Sequence, residues 1–174
     1  ELIRKDSIDD FIKYIKDTLC KLNSTIKSSS YETNSLLLYR KTTLIEYAMF
    51  YGSIKIIKYL MKKKVELVPS LWIYAIHSKN IEMIYFLEEN HVEPEDKSYL
   101  QIIKESIKCH HNKIAKYLIE NHSKSENDDV SRTISLFGLK YHNFEFLNES
   151  NLNESFFYQY CKFDYCIFVD LFLQ

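Results

Sequence analysis

Thr43-Leu44-Ile45-Glu46-Tyr47-Ala48-Met49-Phe50-Tyr51-Gly52-Ser53-Ile54-Lys55-Ile56-Ile57-Lys58-Tyr59-Leu60-Met61 is the stretch on which the reading of this chain turns. Its apolar residues recur at helical spacing on either side of one glycine. A first short helix runs to about Phe50, Gly52 turns the chain, and a second helix starts near Ser53 as N-cap. In that second helix Ile54, Ile57 and Met61, with Ile56 and Leu60 beside them, make one broad apolar face.

The pattern returns 27 residues later as Ser70-Leu71-Trp72-Ile73-Tyr74-Ala75 and then Lys79-Asn80-Ile81-Glu82-Met83-Ile84-Tyr85-Phe86-Leu87. A third copy places Ser106 where Ala75 stood and Ile114-Ala115-Lys116-Tyr117-Leu118 in its second helix. The fourth has Thr133, Gly138 and Asn143-Phe144-Glu145-Phe146-Leu147, and a weaker fifth has Cys161 and Ile167-Phe168-Val169 leading to Leu173. Ser7-Ile8-Asp9-Asp10-Phe11-Ile12 reads as a second helix without its first. One position across the copies is Ala48, Ala75, Ser106, Gly138 and Cys161, small every time. Paired helices need a small residue where backbones approach closely, because a Leu there would overpack the contact by ~1–3 kcal/mol. Tyr59, Phe86 and Tyr117 share a further register position, and they and Trp72 read as core between copies.

These residues resemble a known family. Thr43-x-Ile45-x-x-Ala48 is similar to the T-P-L-H-x-A signature of ankyrin repeats, and Gly52–Leu60 is similar to that family's G-H-x-E-I-V-K-L-L segment. The whole chain resembles the divergent ankyrin proteins of protists such as trichomonads and amoebae, of the domain-of-unknown-function type, over about residues 3–173. The resemblance implies an all-α fold of stacked helix-turn-helix repeats, an α-solenoid. Its departures imply reduced or absent β-hairpin fingers. Leu44 and Leu71 stand for the signature Pro, Glu46 and Ile73 for its His, and Lys64, His91 and His122 for the Gly that ends the second helix. The expected organisation is a single repeat domain over 1–174: a partial repeat at about 1–22, an irregular linker at 23–40, and repeats at about 41–68, 69–98, 99–129, 130–153 and 154–174. Ile167, Phe168, Leu171, Phe172 and Leu173 are too many apolar side chains for one polar cap, so further repeats are expected beyond Gln174.

The function implied is a non-enzymatic scaffold binding a protein partner through the concave helical face. In such repeats the two residues before the inter-helix Gly end the first helix on that side. Here they are Phe50 and Tyr51, His77 and Ser78, Lys108 and Cys109, Lys140 and Tyr141. They vary in type beside a position that stays small, as a recognition face on a fixed scaffold should. The alternatives are a structural spacer within a longer ankyrin protein and a metal-dependent regulator using His and Cys.

Composition narrows the remaining classes. Of 174 residues, 46% are hydrophobic and 15% aromatic, enough for a folded core. Lys plus Arg number 23 against 24 Asp plus Glu, giving no electrostatic reason to expect nucleic acid or a membrane as ligand. Lys62-Lys63-Lys64, the one dense basic run, reads as a solvated helix end. With only Gly52 and Gly138, no glycine-rich phosphate loop is possible and tight hairpins are disfavoured. Apolar stretches such as Leu71–Ile76 are too short to cross a bilayer. Cys20, Cys109, Cys161 and Cys166 have no disulfide-like spacing, which favours an intracellular, cytoplasmic setting.

The remaining chemistry is thin. Cys109-His110-His111, His142 and Cys161-x-x-x-x-Cys166 lack the paired short spacings of a zinc site, and His110 falls at the inter-helix turn. No nucleophile elbow is present. Asp9-Asp10, Glu88-Glu89 and Asp128-Asp129 are adjacent pairs that point apart on a helix. No catalytic residue, metal, cofactor or small-molecule substrate is therefore expected.

Overall fold

A computed structural model describes residues 1–27, 31–123, 128–147, 154–166 and 169–170. Among them every regular element is helical: ten α-helices and one 3-10 turn, with a lone antiparallel bridge between Thr25 and Thr43. No helix among the described residues is long and apolar enough to cross a membrane. The chain divides into two compact units, Glu1–Glu95 and Asp96–Gln174.

Unit 1 contains α1 (Ile8–Thr18), α2 (Ser35–Tyr39), α3 (Leu44–Phe50), α4 (Ile54–Lys62), α5 (Leu71–His77) and α6 (Ile81–Glu89). Helices α3 and α4 pair across Gly52, α5 and α6 pair across Lys79, α3 lies against α5, and α1 against α4. The buried stripe of α4 is Ile56, Ile57 and Leu60, while Ile54 and Met61, expected on the same apolar face, are half-buried; Trp72 is wholly buried with its indole N–H on the Val92 carbonyl at 2.7 Å. Ala48 and Ala75 are inaccessible. Thr43 starts α3 with a reciprocal capping box to Glu46, whose carboxylate also accepts from the Ser70 hydroxyl at 2.7 Å. One buried carboxylate thus ties the start of one helix pair to the next.

Two expectations for this unit are corrected. Ser53 makes no cap. Its hydroxyl donates to the Ile3 carbonyl at 2.6 Å, while Asp6, from the preceding turn, accepts the α4 amides of Lys55 and Ile56, each at 3.0 Å. The span 23–40 is not irregular throughout, because Asn34 caps the short helix α2 and Leu37 is buried. Lys64 and His91 do stand in the left-handed region where a helix-ending glycine is usual, and Lys62, Lys63 and Lys64 are exposed at the end of α4.

Unit 2 contains α7 (Leu100–Lys108), α8 (Asn112–His122), α9 (Asp128–Lys140), a 3-10 turn (Phe144–Phe146) and α10 (Glu154–Lys162). Helix α7 pairs with α8 and lies against α9, which also contacts the 3-10 turn and α10. Ser106 and Gly138 are buried at the small position; a Cβ on Gly138 would sit 3.0 Å from the Asn143 carbonyl oxygen and 3.4 Å from Phe146 Cβ. The second helix expected over Asn143–Leu147 is a single turn. The Asn143 side-chain nitrogen donates to the Ile107 carbonyl at 2.9 Å and to Asn112 at 2.8 Å, and its side-chain oxygen caps no amide of the turn. His122 remains helical, and the chain leaves α8 through extended Ser123.

The same turn recurs within both units. Asp6, Gly52, Lys79, His110, His142 and Asp164 all have φ between 48° and 66°. At five of these turns the next amide reaches back five residues: Ser7 to Leu2, Ser53 to Ala48, His111 to Ser106, Asn143 to Gly138, Tyr165 to Tyr160, at 2.8–3.1 Å. This register corrects the fifth copy. Tyr160, fully buried, holds the place expected for Cys161, which is exposed. Ile167, Phe168 and residues 171–174 lie outside the described residues.

Candidate protein-interaction surface

In unit 1 the residues expected at the first-helix ends come together. Phe50 closes α3 and His77 closes α5; their rings stack at 5.8 Å with an 18° interplanar angle. Tyr51, the C-cap of α3, meets Phe50 edge-on at 5.0 Å and Tyr47, one helical turn back, at 4.8 Å. All four rings are half-buried, the environment in which an aromatic side chain has apolar area left to offer a partner. Ser78 is spent locally: its hydroxyl donates to the Ala75 carbonyl at 2.6 Å and accepts from the Asn80 amide at 3.2 Å. Burial first, and the neighbouring Tyr47 hydroxyl next, raise the Tyr51 phenol above its ordinary value, so Tyr51 stays neutral.

The edge carries three residues that the sequence reading does not single out. The Arg4 guanidinium lies over Tyr51 at 4.9 Å, donates from Nε to the Tyr47 hydroxyl at 2.9 Å and pairs with Glu32 at 3.3 Å. A signal for Arg4 existed: it precedes Asp6 by two residues, as Phe50 precedes Gly52. Tyr47 follows from its spacing of four to Tyr51. Nothing in the sequence points to Glu32.

In unit 2 the same register is cationic beside aromatic. Lys108, Lys140 and Lys162 are the last residues of α7, α9 and α10, and all are exposed. Lys140 Nζ stands 5.6 Å from the Tyr141 ring and Lys162 Nζ 5.8 Å from Phe163. Both Glu105 oxygens accept from Lys108, at 3.0 and 3.2 Å, and this bond above all raises the lysine's pKa; Tyr141 adds to it. Cys109, half-buried, points its sulfur at Glu105 from 3.9 Å.

The other reactive residues have structural surroundings. His110 and His142 are left-handed turn residues, and His142 Nδ1 lies 2.7 Å from the Tyr165 hydroxyl. All four cysteines are free, and the carboxylate of Asp164 pushes the exposed Cys166 thiol up. Asp9 and Asp10 open α1, Glu88 and Glu89 close α6, and Asp128 and Asp129 open α9. Where the 3-10 turn replaces a helix, a groove of about 500 Å³ opens in unit 2 beside Ile119, Val130, Ile134 and Phe146. At its rim Glu145 pairs with Lys116 and Asn112, in that order the causes of its lowered pKa. No protein-family model, curated protein or solved structure matches the chain.

Proposed function

We propose that the chain is a divergent ankyrin-type array of helix pairs and that it works, without catalysis, as a scaffold for a protein partner. The partner docks along the ends of the first helices, the side that the ankyrin resemblance makes concave. The observation that carries this reading is the recurring turn. At Gly52, Lys79, His110 and His142 the turn holds a small residue (Ala48, Ala75, Ser106, Gly138), a left-handed residue and the end of the first helix in one register, while the pair before it differs between copies: Phe50-Tyr51, His77-Ser78, Lys108-Cys109 and Lys140-Tyr141. A side-chain bond from the residue after the turn to the preceding pair holds that register: Ser53 to Ile3, Asn143 to Ile107, Tyr165 to Leu139. The backbone is thus committed to structure and the variable residues are left for recognition. An intracellular setting fits the four free thiols.

Photo-crosslinking in the source cell tests this. A benzophenone amino acid at Tyr51 or Tyr141 should capture one and the same partner, while the same probe at Lys58 or Lys113, exposed on second helices, should not. Capture from Lys58 and Lys113 alone would overturn the placement.

A further inference from the structure

The present occupant of unit 1's edge shows which chemistry that edge accepts. Arg4 uses Nε, Nη2 and the flat face of its guanidinium there. Nε donates to the Tyr47 hydroxyl at 2.9 Å, Nη2 faces Glu32 Oε2 at 3.3 Å, and the flat group lies 4.9 Å from the Tyr51 ring centroid. Two N–H donors in one plane, beside a flat π face, belong to a guanidinium; an ammonium is a compact point charge with no flat face to lay on the Tyr51 ring.

The receiving groups are positioned independently of Arg4. Tyr47 and Tyr51 sit one turn apart at the end of α3 with rings 4.8 Å apart. The other oxygen of Glu32, Oε1, accepts from the amides of Thr33 and Asn34 at 3.1 and 3.0 Å, and its side chain is only 9% exposed. The Arg4 side chain, by contrast, is 41% exposed. Its backbone is held by other residues, through Ile3 to Ser53 and through Asp6 to Lys55 and Ile56. Rotation of one side chain therefore empties the site without moving the main chain. The contacts given up are a partly solvated cation–π pair, a surface ion pair and the exposed hydrogen bond to the Tyr47 hydroxyl, which water can replace.

We propose that Tyr47, Tyr51 and Glu32 form a receptor for an arginine side chain of the protein partner, and that Arg4 occupies it in cis. The proposal rests on the scaffold reading and names the partner's chemistry. An internal occupant lowers the apparent affinity of a competitor by the fraction of time the site stands open, so partner binding at this edge is gated by Arg4.

The whole chain is titrated with Nα-acetyl-arginine methylamide while the ring resonances of Tyr47 and Tyr51 are followed by NMR. Arg4→Ala should show saturable shifts at both rings with an affinity about tenfold or more above that of the unaltered chain. Nα-acetyl-lysine methylamide should bind that variant about tenfold more weakly, and adding Glu32→Gln should remove most arginine binding. Arg4→Met, which keeps an apolar stem over Tyr51, replaces the alanine variant if the latter loses its native spectrum. No saturable shift in a natively folded variant would show that no receptor exists. Equal affinity with and without Arg4 would show that Arg4 does not hold the site. Tighter binding of free arginine than of the capped form would overturn a protein source. Each of these failures leaves the crosslinking result at Tyr51 and Tyr141 unaffected, so the two readings fail separately.

Discussion

Lys79, exposed at φ 59°, carries a side chain in a conformation that costs an L-residue roughly 1–2 kcal/mol. His110, exposed at φ 56°, is in the same position. Glycine there would relieve that strain at the expense of unfolded-state entropy. Lys79→Gly and His110→Gly should each stabilise by ~0.5–1 kcal/mol in urea unfolding, and a destabilisation would remove the left-handed assignment. Gly138 is the opposite case. It is helical and its missing Cβ would press on the Asn143 oxygen at 3.0 Å, so Gly138→Ala should cost ~1–3 kcal/mol despite alanine's better helix propensity. A smaller effect of single atoms concerns His142. The Tyr165 hydroxyl has one proton, and it goes to the Leu139 carbonyl, 2.6 Å away, which can only accept. The 2.7 Å contact with His142 Nδ1 therefore requires the ring proton on Nδ1. Long-range nitrogen–proton NMR correlations at neutral pH should show the Nδ1–H tautomer; the Nε2–H form would refute this hydrogen-bond order.

At the scale of the element, helix starts were the least legible feature. Ser53 has the residue type of an N-cap, but its hydroxyl is drawn to Ile3 and the cap is supplied by Asp6, 49 and 50 positions from the amides it serves. No local rule sees a cap donated from a neighbouring turn. Asp6→Ala leaves the Lys55 and Ile56 amides without their partner and should cost ~1–2 kcal/mol, with Asp6→Asn recovering part of it. Equal stability of the alanine variant would mean that α4 is not capped in this way. The two helices and the turn of Thr43–Met61, by contrast, were readable because apolar period and turn glycine agree there, while the Thr43–Glu46 capping box is visible only in the structure. The fourth copy shows how such agreement fails. Phe144-Glu145-Phe146-Leu147 has the apolar spacing of a helix, yet the Asn143 side chain is turned to Ile107 and Asn112, caps no amide, and only one turn forms. In the fifth copy a tyrosine at a small-residue position hid the register, and the backbone bond from Tyr165 to Tyr160 reveals it.

For the whole molecule, the helical class was legible from two glycines, two prolines and helical periodicity, whereas the division at Glu95 and Asp96 falls in the charged, proline-containing run Glu93–Ser98, which reads equally well as a loop between repeats. The candidate surface was legible in part for the same reason as the fold. Counting two residues back from each turn finds Phe50, Tyr51 and His77, which do meet. It does not find Glu32, which arrives from a loop whose path no periodicity encodes. The central claim is that the residues before each turn bind a protein and do not hold the fold together. Its most direct test replaces Tyr51, His77 and Tyr141 by alanine together, then measures melting temperature and capture of the crosslinked partner side by side. Half-buried edge positions should cost ~1 kcal/mol or less each in stability, while binding should weaken by ~2 kcal/mol or more, about thirtyfold. Undiminished capture by a normally folded triple variant would contradict the account.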